Sequence, residues 1–564
     1  MVRLKERPFY LDDKQIEWVN NTIASMSDEE KVGQLFIHLT PSRDPDYLKN
    51  ILDRYHIGGL RYVNAPAEEI QEQNRFVQQN SKIPLLIASN CEMGGSGGMS
   101  DGTYVASAAQ CGASCTKQTA YDAGFVSGVE AEAIGCNWNF APVTDIFFNW
   151  RNTIINTRAY SNDPSEVIAL AKEFMRGLRQ SNVAPCAKHF PGDGTEERDQ
   201  HLLMGINDLS EEVWQSTYGA VYRAMIEDDL MSIMVGHICQ PALTQKYNPQ
   251  VSDRDLLPAT LSPELLQGVL RGELGFNGVI VTDASHMNGL WQHFPRREQV
   301  PRAIAAGCDM FLFFNDPDED FGFMMEGYKK GIITEERMHD ALSRILGMKA
   351  ALGLPALAEK NALVPQKDAL SRVGCDKHLS LAAKAAEDAI TLVKDTDHNL
   401  PITPQTHKRI RLYYLMGEKG GLIGATDAAR EIIQEELERA GFEVTLNDGT
   451  SREKGSTMQY DDEVDAALVF ADISGYAREN TKRIIWATHQ SNEVPWYTTH
   501  VPTVFVSLNF TTHLHDVPMV RTYINAYGNT REIIRQVIQK IMGKSEFHGH
   551  SNETVWCGKW DTRL

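Results

Sequence analysis

The 564-residue chain has no run of about 18 apolar residues, so no transmembrane helix is expected. Its first residues, MVRLKERPFYLDDKQ, contain neither an apolar core nor a small-residue cleavage site, so no secretory signal is expected either. Basic charge is scarce: 55 Lys and Arg stand against 75 Asp and Glu, a formal net charge of −20. Nucleic acid and anionic membranes reward a basic face, which argues against both as main partners. Solubility alone accounts for such a charge; it also suits a neutral or cationic small molecule as substrate. The nine cysteines have no regular spacing. Cys111 and Cys115 are the nearest pair, no second pair completes a zinc site, and Cys136, Cys186, Cys239 and Cys308 sit among apolar residues. They read as buried thiols of a reducing compartment, so a cytoplasmic location is expected. The Gly-rich stretch EMGGSGGMSDGT has no Gly-Lys-Ser/Thr and opens no helix as GxGxxG, so a tight turn or pocket wall is expected there and no nucleotide cofactor.

Eight short apolar segments recur up to Phe314: QLFIHL from Gln34, IGGLRYV from Ile57, PLLIAS from Pro84, NWNFAPV from Asn137, APCAKHF from Ala184, SIMVGH from Ser232, GVIVTD from Gly278 and DMFLFF from Asp309. Continuous rather than alternating apolarity marks parallel strands covered on both faces. Helical patterns lie between them, opened by Ser27-Asp28-Glu29-Glu30, Asp163-Pro164 and Leu261-Ser262-Pro263-Glu264. The pattern predicts a TIM-like (β/α)8 barrel over 1–355, with an open doubly wound sheet as the alternative. Residues 356–377 read as a linker. RIRLYYLM, AALVFADI and TVFVSLN, with helices between, predict a smaller α/β domain over 378–564 with a structural or dimerising role. The polar, aromatic tail after Lys544 is suited to docking on the barrel or on a second copy of the chain.

Chemistry in such a barrel gathers at the C-terminal strand ends, which here carry His38, Asn64, Asn90, Asp145, His189, His237, Asp283 and Asn315. Packing does not require polar residues there. Asp283, directly after GVIVTD, is suited to be a carboxylate nucleophile or, alternatively, a helix cap. The loop KHFPGDGTEERDQH is dense in titratable groups. Asp199 can orient the His201 ring two residues on, a partnership suited to moving protons near neutral pH; the alternative is a solvated acidic loop. Arg158 reads as a fork onto sugar hydroxyls or as a salt bridge to Asp145 or Asp163. Barrel-end histidines also serve metal hydrolases, but His-Glu-x-x-His is absent and no His-x-His ends the first strand, so no metal is expected.

These residues resemble a known family. KHFPGDGTEERDQH is similar to the signature of glycoside hydrolase family 3, and VIVTDASHM to its nucleophile strand. DEEKVGQLF, NFAPVTDI, AAGCDMFLF and RILGMKAALGL resemble its other landmarks in order; AAKAAEDAITLVKD, NLPI and INAYGNT resemble parts of its second domain. The resemblance implies a retaining mechanism with Asp283 as nucleophile. Asp199-Gln200-His201 matches the Asp-x-His dyad of the N-acetylglucosaminidase branch, which implies His201 as general acid/base. Lys188, His189 and Arg158 match residues that hold the sugar. Asn90 stands where the family has an aspartate, two residues before Glu92, and Asp193 where a histidine or arginine is common. Asn90, Glu92, Asp145 and His237 complete the expected substrate contacts. The expected activity is an exo-β-N-acetylhexosaminidase; a β-glucosidase or a phosphorylase of the same family, a metal-dependent barrel hydrolase and a non-catalytic sugar-binding protein are the alternatives.

Overall fold

The computed structural model describes residues 2–416, 428–447, 457–474, 477, 481–486 and 493–564. The chain forms two units. The first comprises Met1–Tyr104, Ala120–Ile146 and Pro164–Leu379; the second comprises Val105–Thr119, Phe147–Asp163 and Ser380–Leu564.

In the first unit all eight apolar segments are parallel strands: β1 (Phe36–Thr40), β2 (Gly59–Tyr62), β3 (Leu86–Ser89), β4 (Trp138–Asn139), β5 (Ala184–Phe190), β6 (Ser232–Val235), β7 (Val279–Thr282) and β8 (Phe311–Leu312). They run in the spatial order β8-β1-β2-β3-β4-β5-β6-β7, and a bridge between Val281 and Met310 nearly closes the ring. Residues of β3, β5, β6 and β7 are buried throughout, as both-face coverage demands. Surrounding helices begin where local chemistry favours them. Ser27 caps Asp28–Gln34 in a reciprocal box: its hydroxyl accepts from the Glu30 N–H and its own N–H donates to the Glu30 carboxylate. Pro164 opens Pro164–Leu178, and Thr334 caps Glu335–Ala351.

The stretch expected as a linker packs into this unit. Arg75 donates to the carbonyls of Val364 and Pro365, Gln71 to that of Gln366, and the buried Glu130 carboxylate accepts from the Gly374 N–H and His378 Nδ1. Its loop-like composition hid these tertiary partners. The linear division at 355 also changes, because two excursions from within the barrel sequence, Val105–Thr119 and Phe147–Asp163, belong to the second unit.

The second unit carries a six-stranded sheet of β9 (Thr391–Asp395), β10 (Arg409–Met416), β11 (Glu443–Leu446), β12 (Ala466–Asp472), β13 (Thr503–Ser507) and β14 (Thr522–Asn525). Its order is β9-β14-β13-β12-β10-β11, parallel except where β9 meets β14. Asn156 from the second excursion accepts from the Thr511 N–H, and the Trp150 and His515 rings lie 4.5 Å apart. The tail folds into this unit's own core: Val555 is buried there, and the His550 N–H donates to Ala113 C=O in the first excursion.

Candidate active site

The C-terminal end of β5 presents Lys188 and His189. Lys188 Nζ lies 2.7 Å from Glu92 Oε1, both nearly buried, so each neutralises the other where water is scarce. Glu92 sits on the loop after β3, whose course is fixed from beneath. Asn139 at the end of β4 accepts from the Cys91 N–H and donates to its carbonyl. Glu130 accepts from the Thr103 N–H and hydroxyl, and a side chain at Gly95 would collide with that carboxylate. The glycines therefore shape a tight loop, as expected. Asn90 opens the loop; its Oδ1 is buried and has no partner among the described residues.

Asp145 is fully buried, and its carboxylate is consumed by the protein: Oδ1 accepts from the His189 and Asp193 N–H groups, at 3.1 and 2.8 Å, and Oδ2 accepts from His189 Nδ1 at 2.7 Å. An ionised carboxylate only accepts, so Asp145 keeps a proton on Nδ1 and aims His189 Nε2 inward. That nitrogen lies 3.9 Å from Asp283 Oδ2. Asp145, expected as a sugar contact, holds His189 in place.

Asp283 follows β7 with its backbone N–H on Val235 C=O, 2.9 Å away, and one carboxylate oxygen on the Ala284 N–H, 2.7 Å away. Its side chain retains 13% exposure. Burial pushes its pKa up, but the imidazoles of His189, His237 and His201 and the Ala284 N–H outweigh burial and hold it below the usual carboxylate range. It is therefore ionised at neutral pH and reachable, the two requirements of a carboxylate nucleophile.

His237, after β6, is completely buried. Burial lowers its pKa against the pull of Asp283 and Ala284 C=O. Its Nε2–H donates to Ala284 C=O at 3.0 Å, and Nδ1 lies 2.9 Å from the Thr260 hydroxyl, which itself donates to Gly236 C=O. With both nitrogens engaged, His237 braces the turn that carries Asp283.

The dyad stands on the loop after β5. Asp199 is 1% exposed, and its Oδ1 accepts both the His201 N–H, 2.8 Å away, and His201 Nδ1, 2.7 Å away. The His201 ring is 26% exposed, and its Nε2 has no partner among the described residues. The carboxylate is buried and bonds the ring. Residues 205–206 pair in parallel with 238–239, Asn207 Nδ2 donates to Gly192 C=O, and the Trp214 indole to Pro191 C=O. Gly192 has φ +122°, and a Cβ there would strike the Tyr218 ring.

Gln200, between the dyad members, was not among the expected site residues. Its Oε1 accepts from the His237 N–H at 2.9 Å and its Nε2 reaches Asp193 Oδ2 at 3.4 Å. The loop backbone also bonds directly to the nucleophile segment: Asn288 N–H to His201 C=O at 3.0 Å and Gly289 N–H to Gln200 C=O at 3.3 Å. Loop and nucleophile turn are thus tied through Gln200, His237 and Ala284. The sequence signal was present, a buried amide flanked by the dyad, but nothing local tells which way its side chain turns.

Arg158 lies in the excursion Phe147–Asp163, hence in the second unit, whereas the other expected residues lie in the first. Among the described residues no three His, Cys, Asp or Glu side chains are arranged to hold a metal ion, and no described helix is long and apolar enough to cross a membrane.

The N-terminal domain of glycosyl hydrolase family 3 matches residues 27–348. A β-N-acetylglucosaminidase/β-glucosidase of Cellulomonas fimi is 40% identical over 570 residues, covering 100% of each chain. A β-hexosaminidase of Nitrosospira multiformis is 34% identical over 202 residues, 36% of this chain and 54% of that protein. Among solved structures, β-glucoside phosphorylase BglX is similar at 40% identity and TM-score 0.93, covering 99% of both chains. A family 3 β-N-acetylglucosaminidase from Paenibacillus sp. str. FPU-7 shares the fold at 24% identity and TM-score 0.78, over 93% of this chain and 98% of that one. With an ionised carboxylate at the end of β7 and the family signature on the loop after β5, the chain is an enzyme belonging to glycosyl hydrolase family 3.

Proposed function

We propose that this enzyme is a retaining exo-β-glycosidase that removes terminal N-acetylhexosamine, with Asp283 as nucleophile and His201 as general acid/base. One observation carries the reading: an imidazole held by a buried carboxylate at 2.7 Å, on a loop bonded through its backbone to the nucleophile segment. In the first step Asp283 bonds to the anomeric carbon as the glycosidic C–O bond breaks, and protonated His201 gives its Nε2 proton to the departing oxygen. In the second, neutral His201 takes a proton from water as the water oxygen displaces Asp283 from the sugar. Asp199 keeps a proton on Nδ1, so Nε2 is the atom that gives and then receives. Lys188, paired with Glu92, and Asn90 serve as sugar contacts, and Asn90 Oδ1 is an acceptor in want of a hydroxyl or amide donor.

The second reading is a phosphorylase or a glucosidase. The 40% identity to the phosphorylase and the two sugars in the name of the C. fimi relative favour it. A neutral imidazole does not repel an anionic acceptor as a second carboxylate would, and phosphate needs no proton removed before attacking. Rates on p-nitrophenyl β-glycosides of GlcNAc, GalNAc and glucose, with and without phosphate, for the wild type and His201→Ala, test both. Turnover of an N-acetylated sugar that depends on His201 supports the proposal. Cleavage of the glucoside alone would overturn the sugar assignment, and formation of sugar 1-phosphate would replace water as acceptor.

A further inference from the structure

Beside the nucleophile turn lies a large aromatic surface that the chemistry above does not use. Trp291 ends the short helix Asn288–Trp291 and is 43% exposed. Single exposed apolar residues are ordinary, but this one is fixed in place. Its indole N–H donates to Ser285 C=O at 2.6 Å. The Arg296 guanidinium lies over the ring, 5.4 Å from its centre, and is itself held by bonds to Ser285 and by the fully buried Asp320.

Ser285 is two residues from Asp283, a span of at most about 7 Å, so the indole is anchored within about 10 Å of the nucleophile's backbone. The same helix abuts the dyad loop: its first residue, Asn288, donates to His201 C=O, and the Met204 N–H donates to Gln292 Oε1 at 3.3 Å. Leu203, on that loop, is 42% exposed. In a retaining glycosidase the general acid faces the departing oxygen, so the ground next to His201 is where the leaving group stands.

We infer that Trp291 is the platform of the leaving-group subsite, built for a leaving group with a flat apolar face: an aryl ring or the CH face of a second pyranose. This rests on the assignment of Asp283 and His201 proposed above. A ring held at its edge and on one face loses little freedom when a second face is covered, so stacking is realised with little ordering cost.

The test compares aryl β-glycosides and β-linked disaccharides with the glycosyl fluoride of the same sugar, whose leaving group has no face to stack. In Trp291→Ala the ratio of kcat/KM for the aryl glycoside to that for the fluoride is expected to fall by about three- to tenfold. Trp291→Phe, which keeps a ring, is expected to restore most of it, and thermal melts confirm that both variants fold. A loss with the aryl glycoside alone assigns the platform to aryl groups; a matching loss with the disaccharide extends it to sugars. An unchanged ratio for both would overturn the platform while leaving the catalytic assignment standing. Failure of the wild type to cleave any of these substrates would overturn the assignment and the platform together.

Discussion

Replacing Asp199 by asparagine changes one atom of the dyad and removes its charge. In the wild type a single oxygen, Oδ1, accepts two N–H groups of His201, from the backbone at 2.8 Å and from the ring at 2.7 Å. An asparagine has two ways to sit. If its NH2 faced His201 it would meet the backbone N–H, donor against donor, so the amide oxygen keeps the place and the ring tautomer survives. The loss is then the difference between a charge-assisted and a neutral hydrogen bond, about 0.5–2 kcal/mol, or about two- to thirtyfold. That loss falls on steps in which His201 carries charge. For substrates with poorly activated leaving groups, kcat/KM is expected to drop within this range; for dinitrophenyl glycosides, which leave without acid help, it should scarcely change. His201→Ala should cost far more on the same poor substrates, about 10²–10⁴-fold. The assay is kcat/KM across a series of aryl glycosides spanning leaving-group acidity. An Asp199→Asn loss as large as that of His201→Ala, or one independent of the leaving group, would refute the dyad argument.

Other outcomes follow from the same geometry. Asp283→Asn should fold normally and turn over no β-glycoside, while the wild type quenched during turnover of a dinitrophenyl glycoside should show an ester at Asp283 by peptide mass spectrometry; an ester elsewhere would reassign the nucleophile. Gln200→Met keeps the volume but strands the buried His237 N–H, which is expected to cost about 1–3 kcal/mol of stability in urea unfolding and to depress activity most with poor leaving groups. Asn90→Asp removes a donor and adds charge where Oδ1 is now unpartnered, and should change the GlcNAc-to-GalNAc ratio of kcat/KM at least about fivefold, from the loss of one hydrogen bond to the sugar; a ratio within twofold of wild type would separate Asn90 from the sugar. Lys349 is fully buried on Gln34 Oε1, 2.7 Å away, and burial lowers its pKa from 10.5 to about 7. Between those values the unfolded chain binds the extra proton, so this lysine makes stability rise with pH from about 7 upward. Unfolding of the wild type and Lys349→Met at pH 6, 8 and 9.5 should therefore diverge, the wild type gaining on the variant; parallel curves would count against the buried charge.

The barrel was legible because each strand is a short, largely apolar word, and the eight words stand in the sequence as they stand around the ring. Asp283 stood out because a polar residue at such an end has no packing reason, and Asp199 and His201 because the loop after β5 is dense in titratable groups. What the sequence could not convey was direction. Asp145 and His237 share the chemistry of ligands, yet their side chains turn into the protein and are satisfied there, a matter of neighbours such as Thr260 and Asp193 far away in the chain. Gln200 and Glu130 act through their burial, which single residues do not announce. The same holds for Arg158 and the linker: Phe147–Asp163 reads as a barrel loop and residues 356–377 as a tether, because composition records solvation but not which surface provides it.

The second unit gathers three stretches of chain separated by much of the barrel sequence. Synthesis runs in one direction, so residues 105–119 and 147–163 leave the ribosome long before β13 and β14, the strands flanking Thr511 and the tail that bond to them. Until the last 180 or so residues emerge, those two segments lack their partners within the second unit. A stop codon after Leu379 would therefore yield something other than a smaller enzyme: two segments of the second unit made without the sheet they belong to, left open to whatever chaperone or protease arrives first.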